Sequence, residues 1–130
     1  MNELLGFVYI LTNKYNKVLY VGVTRDLLRR VAEHKLHINR GFTSKYNVEK
    51  LVYYEMFDRL DDAIGRESQL KNWRRDWKEK LVADFNPGWR DLAEDIGVDT
   101  EYIQAVKEAY ENGQYVAGDS MAGDSGSSPE

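Results

Sequence analysis

The sequence predicts an α/β fold of the α+β type, in which a small three-stranded antiparallel β-sheet is flanked by helices. Two short runs rich in β-branched and aromatic residues, 7–11 and 18–23, are separated by a polar segment, as in a β-hairpin. A third run of the same kind covers 50–57. The segments that follow space their apolar residues with helical periodicity, and so small a sheet needs helices packed on it.

The hairpin predicts two phenols on adjacent strands. Because successive side chains of a strand point to opposite faces, Phe7, Tyr9 and Leu11 share one face of the first strand. Tyr20 and Gly22 share a face of the second strand. Glycine suits a position where another group approaches the backbone closely, so Gly22 is either such a position or a strand end.

The helix after the hairpin is expected to begin behind the capping residue Asp26 and to end at about His37. Arg30 and His34 are four residues apart beside its apolar stripe, so they should lie one above the other near the sheet. Arginine can hold two phosphate oxygens, and histidine can take a proton near neutral pH. The alternative is a solvated arginine with a surface histidine. His37 is expected to be structural, because two histidines without further ligands make a poor metal site.

A second long helix is predicted from about Asp61, as its capping residue, to Trp73. It carries Glu67 among the residues expected to face the core, which are Ala63, Ile64, Leu70 and Trp73. A buried carboxylate needs a partner, and the sequence leaves two open: an ion pair with Arg30 or a divalent cation. A shorter helix over 76–85 should pack against the body, and residues 41–46 are predicted to form a loop over one side of the site.

Composition excludes several classes of site and protein. The 130-residue chain has the length of one domain and contains no cysteine, which excludes disulfides, thiolate zinc sites and a cysteine nucleophile. Its apolar runs are too short to cross a bilayer, and its N-terminus lacks the pattern of a secretory signal. We therefore expect no membrane partner and a cytoplasmic location.

Charge is distributed unevenly along the chain. The formal net charge is −4, but residues 1–90 hold 17 Lys and Arg against 12 Asp and Glu, whereas residues 91–130 hold 1 against 10. The body is therefore mildly basic. Its basic residues are candidate phosphate contacts, although any single one is as readily explained by a solvated helix face. They cluster at Arg25, Arg29, Arg30, Lys35 and Arg40, and again at Lys71, Arg74, Arg75, Lys78 and Lys80.

The last part of the chain differs in composition from the body. Residues 93–113 are expected to form an acidic helical extension, with one helix over 100–110 capped by Asp99 or Thr100. Residues 114–130 are mostly polar and small and are expected to be disordered. An acidic segment tethered beside a basic cleft could compete with nucleic acid, which gives a hypothesis of autoinhibition.

Five elements follow one another in a recognisable order. Val8-Tyr9-Ile10 is followed by a turn, by Tyr20-Val21-Gly22, by a helix with Arg30 and His34, and by a later helix with Glu67. This order resembles the GIY-YIG nuclease superfamily. The chain is most similar to small stand-alone bacterial members, which resemble the nuclease domain of the excision-repair incision subunit.

The resemblance extends over about residues 7–92, with two departures. Phe7 stands where the first family motif has a glycine, and Val23 stands where repair-type relatives can have a lysine. The resemblance implies a GIY-YIG nuclease-like domain over residues 1–92, which acts as a metal-dependent DNA endonuclease in repair or recombination.

The resemblance also implies the site residues. The catalytic residues would be Tyr9, Tyr20, Arg30, His34 and Glu67. Glu67 would bind Mg²⁺ or Mn²⁺, ions that accept few carboxylates and complete their shells with water and phosphate oxygens. Arg30 would hold the phosphate, and a tyrosine assisted by His34 would activate water, but the sequence does not decide which tyrosine. Expected nucleic-acid contacts are Gly22, Arg25, Arg29, Lys35, Lys45, Tyr46 and Lys71.

Two other classes of function remain open. A catalytically inactive nucleic-acid-binding module would keep the fold and tolerate the two departures at Phe7 and Val23. A protein-interaction domain would use the acidic C-terminal helix. Binding alone would not require Glu67, so the five residues together favour catalysis. The small size indicates that targeting comes from substrate shape or from a protein partner, and the sequence does not indicate an oligomeric state.

Overall fold

The computed structural model describes residues 5–38 and 41–114, and it has the predicted α/β architecture. Three strands, β1 (Gly6–Thr12), β2 (Leu19–Thr24) and β3 (Lys50–Phe57), form one antiparallel sheet with the order β2-β1-β3. The helices are α1 (Leu27–Leu36), α2 (Phe42–Lys45), α3 (Leu60–Asn72), α4 (Arg75–Phe85) and α5 (Thr100–Glu111), with a 3₁₀ turn at Glu94–Ile96. The structure therefore confirms the three-stranded antiparallel sheet flanked by helices.

The predicted caps of α1 and α5 are confirmed. Asp26 is the N-cap of α1, and its side chain accepts a hydrogen bond from the backbone N–H of Arg29 at 3.1 Å. Asp99 caps α5 and accepts from the N–H of Tyr102 at 2.8 Å. Each carboxylate satisfies one of the amides that the first turn of a helix leaves without a partner.

Three details of the sequence-based prediction are wrong. The segment 41–46 is not only a loop, because Phe42–Lys45 forms α2, anchored where the Phe42 ring stacks on Tyr20 at a centroid distance of 6.3 Å. Asp61 is not a cap but lies in the first turn of α3, where the helix dipole favours carboxylates. Ile64 is 38% exposed, because α3 faces the sheet with Ala63, Glu67 and Leu70 instead.

The sheet separates two apolar clusters, one on each face. The first contains Tyr9, Leu11 and Tyr20 of the strands together with Leu27 and Val31 of α1 and Val106 of α5. The second contains Val8, Ile10, Val21 and Val23 together with Ala63 and Leu70 of α3 and Val82 of α4. The alternation predicted for β1 is therefore confirmed, and it directs Tyr9 toward α1.

The C-terminal helix α5 packs on α1 and belongs to the first cluster. Leu92, Ala93, Val98 and Val106 are buried together with residues of the strands. The backbone N–H of Leu92 also donates to the carbonyl of Leu51 in β3 at 2.8 Å. The division into residues 1–92 and 93–113 stays a prediction, and across that boundary the two parts share one hydrophobic cluster.

Some predictions concern residues outside the described ranges. Of the segment expected to be disordered, 114–130, residues 115–130 lie outside the described ranges. The basic residue Arg40 also lies outside them, in the gap between 38 and 41. Among the helices of residues 5–38 and 41–114, none has both the length and the apolar character needed to cross a membrane.

Gly22 allows β2 to pack closely on Tyr9. The register of the hairpin pairs Tyr9 with Gly22 and Leu11 with Tyr20. A Cβ atom on Gly22 would lie 2.5 Å from both the hydroxyl oxygen and the Cζ atom of Tyr9. The phenol therefore occupies the space that any other side chain at position 22 would fill, which explains why glycine is needed there.

We predict that Gly22→Ala lowers the free energy of unfolding by about 1–3 kcal/mol, because the added methyl group must displace a fully buried ring. Gly65→Ala is the matched control: Gly65 lies in α3, and a Cβ there meets no atom within 4 Å. Alanine at this exposed helical position should stabilise the protein by about 0.5–1 kcal/mol. Urea unfolding of both variants measures the difference. Equal stability of Gly22→Ala and the wild type would contradict the packing described for Tyr9.

Candidate active site

Three aromatic rings from β1, β2 and α1 meet on the inner face of the sheet. The Tyr9 and Tyr20 rings have centroids 6.3 Å apart. His34 contacts both rings edge to face, with centroid distances of 5.8 Å to Tyr9 and 5.6 Å to Tyr20. All three side chains are buried. The structure therefore brings together three of the predicted catalytic residues.

A chain of hydrogen bonds runs from Tyr9 through His34 to α2. The Tyr9 hydroxyl lies 3.1 Å from Nε2 of His34, and Nδ1 of His34 lies 3.1 Å from Oγ1 of Thr43. Burial, with Arg30 and His37 nearby, lowers the pKa of His34 to about 3, so its ring is neutral. A neutral ring satisfies both contacts when Tyr9 donates to Nε2 and the Nδ1–H donates to Thr43.

Burial also changes the pKa of the Tyr9 phenol. It raises the pKa of Tyr9 to about 12, although a hydrogen bond with the Arg30 side chain and its positive charge act in the opposite direction. The negative charges of Glu33 and Glu67 raise it further. In the protein without substrate the proton therefore stays on Tyr9. The same contributions place Arg30, Glu33 and Glu67 within electrostatic range of this phenol.

Glu33 is a buried acceptor that sequence analysis did not identify. Its Oε1 accepts from Nη1 of Arg30 at 2.7 Å, and its Oε2 accepts from Nε of Arg29 at 2.9 Å. The hydroxyl of Tyr110, from α5, also donates to Oε2. The Glu33 side chain has no exposed surface, and Arg30 is only 4% exposed. The signal in the sequence was a glutamate three and four residues after two arginines, on the buried side of α1.

Glu67 is buried on α3, as predicted, and its ion-pair partner is Lys71. The Nζ atom of Lys71 lies 2.9 Å from Oε2 of Glu67, one helical turn away. Of the two partners that the sequence left open, Arg30 instead forms the ion pair with Glu33. Oε2 accepts no hydrogen bond of good geometry from the described residues. The carboxylate thus keeps acceptor capacity in a site that is 6% exposed.

The donor set fits a metal ion that needs few protein ligands. Within residues 5–38 and 41–114 there is no group of three or more histidine, aspartate or glutamate residues that could hold a metal. Zinc and calcium sites usually require such a group, whereas magnesium retains several waters and is held by one or two carboxylates plus substrate phosphates. Glu67, a buried carboxylate whose ion-pair partner is Lys71, therefore fits magnesium or manganese.

The predicted nucleic-acid contacts fall into two groups. Arg25 and Lys45 are exposed, and the ammonium group of Lys45 lies 5.4 Å from the ring centroid of Tyr46, which packs on Phe42. The others are engaged within the protein. Gly22 packs on Tyr9, Arg29 binds Glu33, Lys35 binds Asp91 at 2.6 Å, and Lys71 binds Glu67.

A cavity of about 700 Å³ lies beside α2, between the β1–β2 turn, the end of α1 and the beginning of β3. Its lining includes three lysines and two exposed tyrosines, Lys14, Tyr15, Lys35, Tyr46 and Lys50. Its acidic residues, Glu49 and Asp91, are bound to His37 and Lys35. The Phe42 ring connects Tyr46 of this cavity to Tyr20 of the buried cluster.

The chain matches the family model of the GIY-YIG catalytic domain over residues 5–80. It is also similar to a UPF0213 protein of Natronomonas pharaonis, with 38% identity over 78 residues that cover 60% of this chain and 91% of the relative. A UPF0213 protein of Haloquadratum walsbyi is 34% identical over 76 residues, 58% of this chain and 84% of the relative. One of Staphylococcus saprophyticus is 32% identical over 78 residues, 60% of this chain and 94% of the relative. No solved structure matches significantly.

The matched segment 5–80 contains the whole sheet, α1, α2 and α3, and it includes Tyr9, Tyr20, Arg30, His34 and Glu67. The helix α5, which supplies Tyr110 to Glu33, lies outside it. The buried tyrosine pair, the arginine and histidine of α1 and the glutamate of α3 are thus carried by the part of the chain that matches. The chain belongs to the GIY-YIG family, which is a nuclease-type family.

Proposed function

We propose that this protein is a divalent-metal-dependent endonuclease that hydrolyses phosphodiester bonds of DNA. The observation that carries the proposal is the contact between Tyr9, Tyr20 and His34, with Arg30 hydrogen-bonded to Tyr9 and Glu67 close enough to affect its pKa. A tyrosine pair with a neutral histidine, a guanidinium and a carboxylate combines the groups that phosphodiester hydrolysis uses.

Arg30 is proposed to bind the scissile phosphate. Its guanidinium donates to Glu33 at 2.7 Å and also hydrogen-bonds to the phenol of Tyr9. A planar guanidinium can bind two non-bridging phosphate oxygens at once. It would then stabilise the negative charge that develops on the phosphate in the transition state, without reorganising when the substrate arrives.

Tyr9 and His34 are proposed to move the proton of the attacking water. Nε2 of the neutral His34 ring lies within hydrogen-bonding distance of the Tyr9 hydroxyl, so the imidazole can take the proton of the phenol in the same step in which the phenol oxygen takes the proton of water. The hydroxyl oxygen of Thr43 accepts a hydrogen bond from the Nδ1–H group of His34 and so fixes the orientation of the ring. This contact favours Tyr9 over Tyr20 as the tyrosine that accepts the proton of water, with Tyr20 forming the opposite wall.

Glu67 is proposed to hold Mg²⁺ or Mn²⁺ at the edge of this cluster. The ion, when bound, would supply positive charge that stabilises the leaving 3′ oxygen. The Glu67 carboxylate already binds one cation, the ammonium of Lys71 at 2.9 Å, which supports the proposal.

DNA is the proposed substrate, and a role in repair or recombination is proposed with it. The nucleic-acid contacts remain those predicted from the sequence, and among them Arg25 and Lys45 are exposed basic residues. The basic and aromatic cavity around Tyr46 would continue the path of the strand away from the scissile phosphate. A cytoplasmic location and targeting by a protein partner belong to the same proposal.

A catalytically inactive DNA-binding module is the second candidate. Phe7 and Val23 replace a glycine and a lysine of related motifs, and Lys71 already neutralises Glu67. Such a module would bind DNA with strong salt dependence and would not cut it.

We predict that the wild-type protein cuts at least one of single-stranded, duplex, flapped or forked DNA in the presence of Mg²⁺ or Mn²⁺. Glu67→Gln should lower the rate by about a hundredfold or more, because an amide of the same shape has lost the charge that holds the cation. Glu79→Gln, on α4, is the control: it also removes a glutamate from an ion pair one helical turn long, and it should cut at the wild-type rate. Labelled substrates with metal or chelator give the measurement. DNA binding without cleavage, equal in all three proteins, would favour the inactive module.

We also predict that His34 makes stability fall as the pH is lowered. The unfolded chain protonates this histidine near pH 6.5, whereas the folded protein resists protonation down to about pH 3. The unfolded state therefore binds one more proton between these values, and the free energy of unfolding should drop by about 1.4 kcal/mol per pH unit below pH 6.5. Urea unfolding between pH 6.5 and 4.5 should show a shallower slope for His34→Gln. His37→Gln retains His34 and should keep most of the slope. Parallel curves for His34→Gln and the wild type would show that His34 is not buried in its neutral form.

A further inference from the structure

We propose that Tyr110 of α5 is a positioning residue of the active site, which acts through Glu33 to hold the guanidinium of Arg30. The proposal rests on the proposed nuclease function for the role of Arg30, but the contacts that carry it do not. They join the C-terminal helix, outside the segment that matches the family, to the helix that bears Arg30 and His34.

The carboxylate of Glu33 is completely buried and must satisfy its charge within the protein. From the described part of the chain it accepts from Nη1 of Arg30 at Oε1, and from both Nε of Arg29 and the hydroxyl of Tyr110 at Oε2, which are three donors. A buried carboxylate is tolerated only when such partners replace its hydration. Two of the three donors come from α1 itself, so Tyr110 is the donor that ties this carboxylate to another element.

Packing of α5 fixes the position of the Tyr110 side chain. Val106, one turn earlier in α5, is 4% exposed and lies in the same cluster as Tyr9 and Val31. The Tyr110 ring itself packs against that cluster. Burial and the Glu33 carboxylate both raise the pKa of the phenol, so it keeps its proton and donates.

The two carboxylate oxygens of Glu33 have different partners. Oε2 is fixed by Arg29 and Tyr110, and this holds the plane of the carboxylate so that Oε1 faces Arg30. Arg30 also hydrogen-bonds to Tyr9. The guanidinium therefore contacts both this carboxylate and the phenol proposed to activate water. Without the Tyr110 hydroxyl, Oε2 loses its contact with α5 and keeps the one from Arg29, so the carboxylate and the Arg30 fork are held less tightly.

A positioning role of Tyr110 and autoinhibition by the acidic extension predict different effects when the contact between α5 and α1 is weakened. If α5 competed with DNA, weakening its contact with α1 would increase DNA affinity. If Tyr110 positions Arg30, weakening the contact lowers turnover and leaves affinity nearly constant. Truncation after Leu92 does not separate these outcomes cleanly, because it also removes Val98 and Val106 from the core.

Tyr110→Phe is the direct test, because it removes one hydroxyl and keeps the ring. We expect kcat for DNA cleavage to fall by about tenfold, with KM and the Kd for DNA changed by less than about twofold. Tyr102→Phe is the control, since it also removes one hydroxyl from a tyrosine of α5 that packs against the same cluster, and it should behave as the wild type. An unchanged kcat, or a tighter Kd for DNA, would overturn the proposal.

A double-mutant cycle tests whether Tyr110 acts through Glu33. Glu33→Gln removes the charge that orders Arg29 and Arg30, so adding Tyr110→Phe to it should lower kcat by less than about twofold further. A full additional tenfold loss would show that Tyr110 acts by another route. A structural role alone would lower the Tm of Tyr110→Phe while leaving its kcat unchanged.

The link can also be measured without catalysis. The Nε–Hε signal of Arg30 in ¹⁵N-labelled protein should shift in Tyr110→Phe, and the shift should be absent when Glu33→Gln is already present. If the wild type cuts no DNA but this pattern holds, the nuclease proposal fails and the positioning contact stands. An Arg30 signal that Tyr110→Phe leaves unchanged would overturn the contact whatever the activity.

Discussion

The buried ion pair between Arg30 and Glu33 is the interaction on which the arrangement of the site depends. A guanidinium and a carboxylate with almost no exposed surface lie beside a sheet face that is otherwise apolar and aromatic. Removing one partner of such a pair typically costs about 3–5 kcal/mol, because the other charge is left buried. Because both residues lie on α1, the pair holds the guanidinium on the buried side of that helix, which also carries His34 one turn further along.

The strands β1 and β2 position the two tyrosines that contact His34. Tyr9 reaches His34 because Gly22 leaves the space that the phenol fills, and Tyr20 reaches the same ring from the next strand. The alternate residues of β1 and β2 pack on α3 and α4, and α3 carries Glu67, whose negative charge helps to raise the pKa of Tyr9. A site of this kind is assembled by alternation in the strands and by helical spacing in α1, with no disulfide, since the chain has no cysteine.

The parts of the site that follow short-range rules could be predicted from the sequence. Alternation placed Tyr9 and Tyr20 together, spacing of four residues stacked Arg30 on His34, and the apolar pattern of α3 showed that Glu67 is buried. The contact of Thr43 with His34 and that of Tyr110 with Glu33 could not be predicted, because they join residues 9 and 77 positions apart across elements whose packing no local pattern specifies. Lys71, assigned to nucleic acid, binds Glu67 because the two lie one turn apart on α3.

The central claim is that a divalent cation binds at Glu67 beside Arg30 when DNA is present. Paramagnetic broadening by Mn²⁺ tests it directly, in ¹⁵N-labelled protein bound to a DNA with uncleavable phosphorothioate linkages. We expect signals of Glu67, its neighbours in α3 and the Arg30 side chain to broaden first, and Glu67→Gln to abolish the effect. Broadening centred on the exposed acidic residues of α5, Glu108 and Glu111, and unchanged in Glu67→Gln, would contradict the account.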